Sequence, residues 1–207
     1  MSFPPVQAKR PCGGNSEDGD CPHFAARPRL SAGRNRLPTL GLVHTVRRVI
    51  PGLGDLAAEL LPEVQQLHYL DESVLQDAIV LGGLSANIIR RVRQLVQLAA
   101  ERSDVVLVTC SSIGPAADIA AGECYVPVLR IDRPMAEAAV QTAQRIGVIA
   151  TLGSTLAPTV QLVRKCAEEA ERQPEVVEVL VEGAFAAASA GDQAEHDRRV
   201  LAGLEGL

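Results

Sequence analysis

Tryptophan is absent from this 207-residue chain, and aromatic residues make up only 2% of it. Single-stranded nucleic acids are gripped on aromatic platforms, so that mode of binding has almost nothing to work with. A basic excess is missing too. With 20 Lys and Arg against 25 Asp and Glu the formal net charge is −5, whereas duplex and RNA binders carry a basic surface. No nucleic acid is expected as a partner. No apolar run approaches the roughly 20 residues of a membrane span, and no hydrophobic stretch follows Lys9 and Arg10 as a secretory signal would require. No membrane partner is expected, and the expected location is cytoplasmic.

Cysteine is present but not patterned. The five cysteines, at positions 12, 21, 110, 124 and 166, form no Cys-x-x-Cys pair and no even, dense framework, which excludes a zinc ribbon and a secreted disulfide scaffold. Cys12, Cys21 and His23 cluster loosely, yet nothing downstream completes a four-ligand site, so no metal is expected. The thiols read as free and intracellular.

What remains is an aliphatic, helix-and-strand chain that is 47% hydrophobic. Residues 1–37 are rich in Pro, Gly and Arg, including Arg27, Arg29, Arg34 and Arg36, and show no period of 2 or 3.6. Such a stretch cannot bury enough surface to offset its ordering entropy and is expected to be a disordered extension. From Leu40 onward strands and helices alternate. Strands are expected at 40–44, 64–70, from Asp104 to Cys110, and at 126–131, 146–151 and 176–181. Helices are expected at 53–61, with Leu53, Leu56, Leu60 and Leu61 on one face, after the Asp71 cap, from Ser85 to about Arg102, at 135–144, from Pro158 to Glu171, and through Glu195 and Val200. In the long Ser85 helix, Ile88, Ile89, Val92, Leu95, Val96 and Ala99 are expected to form the inward stripe, with Arg90, Arg91 and Arg93 at least partly solvated on a polar outer face. The βα order predicts an α/β fold with parallel sheets covered by helices.

The run from Asp104 to Asp118 carries the chemistry. A β-branched strand ends at Thr109-Cys110, Ser111 and Ser112 follow, and Gly114-Pro115 opens a helix. This puts a thiol at the carboxyl end of a parallel strand, where open α/β sheets gather their ligands, beside N–H groups that favour a thiolate and an anionic substrate group. A buried cysteine packing under the sheet is the bland alternative. Two further strand ends carry polar groups, His44-Thr45 and Thr151 through Ser154-Thr155. Small hydroxyls and exposed N–H groups suit a carboxylate, so the implied partner is a small carboxylic-acid substrate.

Val108-Thr-Cys-Ser-Ser-Ile-Gly-Pro115, Ile146-Gly-Val-Ile-Ala-Thr-Leu-Gly-Ser-Thr155 and Leu180-Val-Glu-Gly183 together resemble the aspartate/glutamate/hydantoin racemase superfamily, from about Thr39 to the end of the chain. The resemblance implies a cofactor-independent isomerase of two similar α/β lobes with the cleft between them, at 38–133 and 134–207, and cofactors: none. It implies Cys110 as the catalytic thiol, and Ser111, Ser112, Thr151, Ser154 and Thr155 in the substrate loops. His44 and Thr45 fall after the first strand and Glu182 in the third motif, completing the substrate-binding set. The family's second cysteine falls beyond Leu207, because Cys124 and Cys166 sit in a turn and a helix, so the second lobe is expected to be incomplete and the activity impaired. A decarboxylase or hydrolase using Cys110, and a non-catalytic acid-binding or redox-responsive protein, are the alternatives. A homo-oligomer is compatible with each reading.

Removing residues 1–37 is expected to leave the thermal midpoint nearly unchanged. A fall beyond about 4–8 °C, the shift that accompanies roughly 1 kcal/mol in a small domain, would show that the extension packs on the fold.

Overall fold

A computed structural model describes residues 37–207. The expected extension, with Cys12, Cys21, His23 and its arginines, lies outside the described residues apart from Leu37. The fold is α/β, with parallel sheets and helices around them. The first sheet has the order β2-β1-β3-β4, all parallel. Its strands are β1 (Thr39–His44), β2 (Gln65–Leu70), β3 (Val105–Val108) and the short β4 (Val128–Arg130). The second sheet pairs β5 (Arg145–Ala150) with β6 (Glu175–Leu180), also parallel.

Central β1 is buried along nearly its whole length, as a strand covered on both faces must be. One face of the first sheet is packed by α2 (Glu72–Leu81), α3 (Ala86–Arg102) and α4 (Gly114–Ala121), whose Val74, Ala78, Val92, Val96, Ala116 and Ala120 meet Val43, Val106 and Val108. Capping follows the sequence pattern. The Asp71 carboxylate accepts from Ser73 N–H at 3.1 Å, and Ser85 Oγ accepts from Ile88 N–H at 3.3 Å. The arginines of α3 pair along its outer side, Arg91 with Asp71 and Asp77, and Arg93 with Glu123.

α1 (Ile50–Leu60) departs from the expected packing. It has no buried residue, and Leu56 and Leu60 are 48% and 66% exposed, so the face on which the leucines gather is uncovered by the described elements. Around the second sheet, α5 (Arg133–Thr142) and α6 (Gly153–Glu169) cover one side with Ala136, Val140, Val160 and Val163 against Ile146 and Val148. α7 (Ala184–Ser189) leads to α8 (Gln193–Glu205), which reaches the other side, where Gly203 lies against Val181 and Ile149. The expected start of α6 at Pro158 shifts to Gly153. Pro158 lies inside the helix, so Ser154 and Thr155 belong to its first turn rather than to a loop. The cost is one helical bond, the one Pro158 cannot donate to the Ser154 carbonyl.

At the end of β4, Arg130 is buried between two carboxylates. Its Nε and Nη2 donate to Asp132 at 3.0 and 2.8 Å, and its Nη1 donates to Asp118 of α4 at 3.0 Å. Burial opposes the guanidinium charge, but these bonds outweigh it and raise the Arg130 pKa above its usual value. The same guanidinium fills the space in which a Cβ at Gly114 would sit. At this first position of α4 an alanine would gain less than the roughly 1 kcal/mol that it gains over glycine in a helix interior. It would also displace a side chain pinned at both ends. Gly114→Ala is expected to lower the unfolding free energy by about 2 kcal/mol net, measured by urea denaturation, because overpacking and a disturbed buried ion pair exceed the propensity gain.

Candidate functional site

The carboxyl ends of β1 and β3 lie side by side at the point where the strand order reverses, since β1 runs on to β2 on one side while β3 flanks it on the other. Thr109 N–H donates to the Val43 carbonyl at 3.0 Å, which sets the two strand ends level. Val181 N–H donates to Ala150 at 2.8 Å and does the same for the second sheet. A cleft of about 210 Å³ opens between these ends.

Of the residues singled out in the sequence, Thr45, Cys110, Ser111, Ser112, Thr151 and Thr155 line this cleft. Cys110 is half-buried and extended, and a 3-10 turn over Ser111–Ile113 leads from it into α4. First-turn N–H groups have no acceptor within the helix, which leaves those that follow Cys110 available as donors to an anion. Ser112 Oγ and Thr155 Oγ1 are 2.8 Å apart, a hydrogen bond that joins the two halves of the cleft. Thr45 Oγ1 is buried with no partner.

Three of the singled-out residues sit elsewhere. His44 is fully buried beneath the cleft, Ser154 borders a different cavity, and Glu182 is exposed with its carbonyl accepting from Arg199 at 3.0 Å. Cys124 and Cys166 are also outside the cleft, and burial pushes both thiols up. Apolar walls went unnoticed in the sequence: Val46, Val49, Leu75, Leu152 and Phe185. Phe185 alone left a signal, as one of three phenylalanines in an aromatic-poor chain.

His68 was missed as well. Its Nδ1 lies 2.9 Å from His44 Nε2, with the rings stacked 5.2 Å apart, and His44 Nδ1 lies 2.9 Å from Thr109 Oγ1. The tautomers follow from the far end of the chain. Thr109 Oγ1 donates to the Val43 carbonyl at 3.0 Å, and a carbonyl can only accept. Thr109 therefore accepts from His44 Nδ1–H, and His44 Nε2 accepts from His68 Nδ1–H. A neutral His44 satisfies every bond in this line.

Among the described residues no group of three or more His, Cys, Asp or Glu side chains is placed to hold a metal ion, and no helix is long and apolar enough to cross a membrane.

Residues 49–207 match the family described as Asp/Glu/Hydantoin racemase. No curated protein matches the chain. Among solved structures the chain is similar to glutamate racemase RacE1 from Bacillus anthracis, with 18% identity and a TM-score of 0.62 over 82% of this chain and 63% of that one. It is similar to glutamate racemase from Francisella tularensis in complex with D-glutamate, with 18% identity and a TM-score of 0.56 over 74% of this chain and 56% of that one. Glutamate racemase from Aquifex pyrophilus gives 19% identity and a TM-score of 0.51 over 69% and 54%. The chain thus spans less than two thirds of the length of each, and at these identities the likeness is one of fold.

Burial, reinforced by the charge of the neighbouring His68, lowers the His44 pKa from 6.5 to about 4. The unfolded chain takes up a proton near pH 6.5 that the folded chain refuses until about pH 4. The stability from His44 is full above pH 6.5 and lost as pH falls through that window, by about 3 kcal/mol at its limit. Urea unfolding at pH 7, 6 and 5 is expected to show this slope, and His44→Asn is expected to flatten it while lowering stability at pH 7.

Proposed function

Because the chain belongs to the Asp/Glu/hydantoin racemase family, we propose that it is an isomerase-type enzyme that moves a proton at the α-carbon of a small carboxylic acid, with Cys110 as the base. The observation that carries this reading is the thiol of Cys110 set among Thr45, Ser111 and Thr151 at the carboxyl ends of parallel strands. The substrate carboxylate is held by the N–H groups at the start of the Ser111 turn and by the nearby hydroxyls. The Cys110 thiolate takes the α-proton, so the Cα–H bond breaks and an S–H bond forms. The electron pair left on carbon delocalises into the carboxyl group, where these preorganised donors stabilise the growing charge. Return of a proton to the same face regenerates the substrate, and return to the opposite face inverts it.

The cleft also speaks to the substrate's substituent. Val46, Val49, Leu75, Leu152 and Phe185 line it, and no Lys or Arg does among the described residues. A second carboxylate would lose its hydration there without gaining a cation, whereas an apolar group loses nothing. The substrate class proposed is a small α-substituted acid with an apolar substituent, in preference to a dicarboxylic amino acid.

Exchange of the α-proton for solvent deuterium, followed by NMR, reads the first half of this reaction whichever group supplies the second proton. Exchange is expected with the full chain, faster for alanine or 2-aminobutyrate than for glutamate, and reduced by about 10²–10⁴-fold in Cys110→Ala, the range that general acid–base groups contribute. Unchanged exchange in Cys110→Ala would remove Cys110 from the mechanism. Decarboxylated or hydrolysed product would move the assignment to another reaction on this scaffold.

A further inference from the structure

One wall of the cleft is carried by a helix too short to keep its own place. α7 spans six residues, whereas isolated helices below about 12–15 residues are marginal in water. Its buried side chains are only the methyl groups of Ala184 and Ala188, so it brings little apolar surface to a core. It nevertheless carries Phe185, which is half-buried and lines the cleft.

Two guanidinium groups clasp this helix, one at each end. At its start, Arg199 of α8 donates from Nη1 to the Glu182 carbonyl at 3.0 Å, while Arg199 Nε donates to Glu195 at 2.6 Å. The same group lies over Gly183, which enters α7 in the left-handed region at φ 78°, and a Cβ there would meet Arg199 Nη1 at 2.7 Å. At the far end, Arg48 Nη1 donates to the Ala188 carbonyl at 2.8 Å. Carbonyls of a last helical turn lack donors within the helix, and a cation is favoured beside them.

The two clasps differ in reach. Arg199 joins α7 to the helix that follows it, whereas Arg48 lies 140 residues earlier, in a 3-10 turn over Arg47–Val49 that follows β1. Val46 and Val49, on either side of that pair of arginines, line the cleft together with Phe185. Arg47 pairs with Glu72 instead. The Arg48 bond thus connects the segment that forms one wall of the cleft to the helix that bears another.

We propose that Arg48 is a positioning residue that sets specificity: by holding the Ala188 carbonyl it fixes how far Phe185 stands from Val46 and Val49, and so limits the size of substituent the cleft admits. Arg48 does not itself line the cleft. A substituent too large for the space must displace α7 and break a bond donated by a charged group, which is stronger than a neutral one. The specificity claim rests on the reading of the cleft as the site of a small acid with an apolar substituent. The positioning claim does not.

The full chain grown with 4-fluorophenylalanine carries three labels, at Phe3, Phe24 and Phe185, and Phe185→Leu identifies the relevant fluorine signal by its loss. Arg48→Met keeps the apolar stem and removes the donors; because Arg48 is exposed, the fold is expected to persist. The Phe185 signal is expected to shift and to become more sensitive to exchange of H2O for D2O, as its ring gains contact with solvent. Arg48→Lys, which supplies a charged donor again, is expected to bring the signal back towards its original position, and Arg47→Met to leave it unmoved. No change in Arg48→Met, or an equal change in Arg47→Met, would overturn the positioning claim. Kd values for propanoate and 3-phenylpropanoate, read from the same signal, test specificity without turnover. Their ratio is expected to move about tenfold towards the larger acid in Arg48→Met, the scale on which a pocket distinguishes one methylene, and to recover in Arg48→Lys. An unchanged ratio overturns the specificity claim alone. Binding of neither acid by the unaltered chain strikes the cleft assignment and the specificity claim with it, while the fluorine shifts still decide how α7 is held.

Discussion

The Arg130 guanidinium is the group on which the geometry of the cleft depends. It closes the edge strand β4, it is held by Asp132 from its own chain segment, and it reaches Asp118 in the helix that begins just after Cys110. Any side chain at residue 114 would collide with it. Removing one partner of such a buried set costs several kcal/mol, although well-packed apolar groups of equal volume would hold the fold as firmly. The contribution of the triad is therefore positional. It fixes where α4 starts relative to β4, and hence where the Ser111–Ile113 turn and the thiol before it stand.

A second constraint is directional. The Val43 carbonyl accepts from both the backbone and the hydroxyl of Thr109. From that acceptor the donors run outward through His44 to His68, so the imidazole buried beneath the cleft is held in one tautomer. Protonation of His44 would turn Nε2 into a second donor facing His68 Nδ1, and burial already disfavours the cation. The strand end under Thr45 and Thr109 is thus stiffened by a neutral polar line, which is stable only while both rings keep their roles. His44 is buried behind Thr109 and is not among the residues that line the cleft.

The parts of this molecule legible in the sequence are those governed by local pattern. Val105–Val108 reads as a strand because four β-branched or apolar residues end on a polar turn, and the long α3 reads as a helix because Ile88, Val92, Val96 and Ala99 repeat at helical spacing and are buried as that spacing demands. Thr45, Cys110, Ser111, Ser112, Thr151 and Thr155 converge because parallel strands place their carboxyl ends on one edge. The illegible parts depend on neighbours distant in sequence. Pro158 has a strong preference for a first turn, yet packing of α6 on the second sheet carries the helix back to Gly153 and rotates Ser154 away from the cleft. Leu56 and Leu60 share a helical face, but no described element covers it. His68 is revealed only by register, since its partner Leu42 stands two residues before His44 on the same face of the sheet.

The cleft lies between two apolar clusters that do not merge, one under each sheet. Its width is therefore set by what joins them. Two polar ties do so, Ser112 with Thr155, and Arg48 with the Ala188 carbonyl at 2.8 Å near the end of α7. A neutral hydrogen bond such as the first contributes about 1 kcal/mol net and one donated by a guanidinium roughly 1.5–3 kcal/mol, each far less than either apolar cluster, so the ties select one spacing without locking it. The first tie uses the residue next to Ser111, so it bears directly on the short turn that follows Cys110.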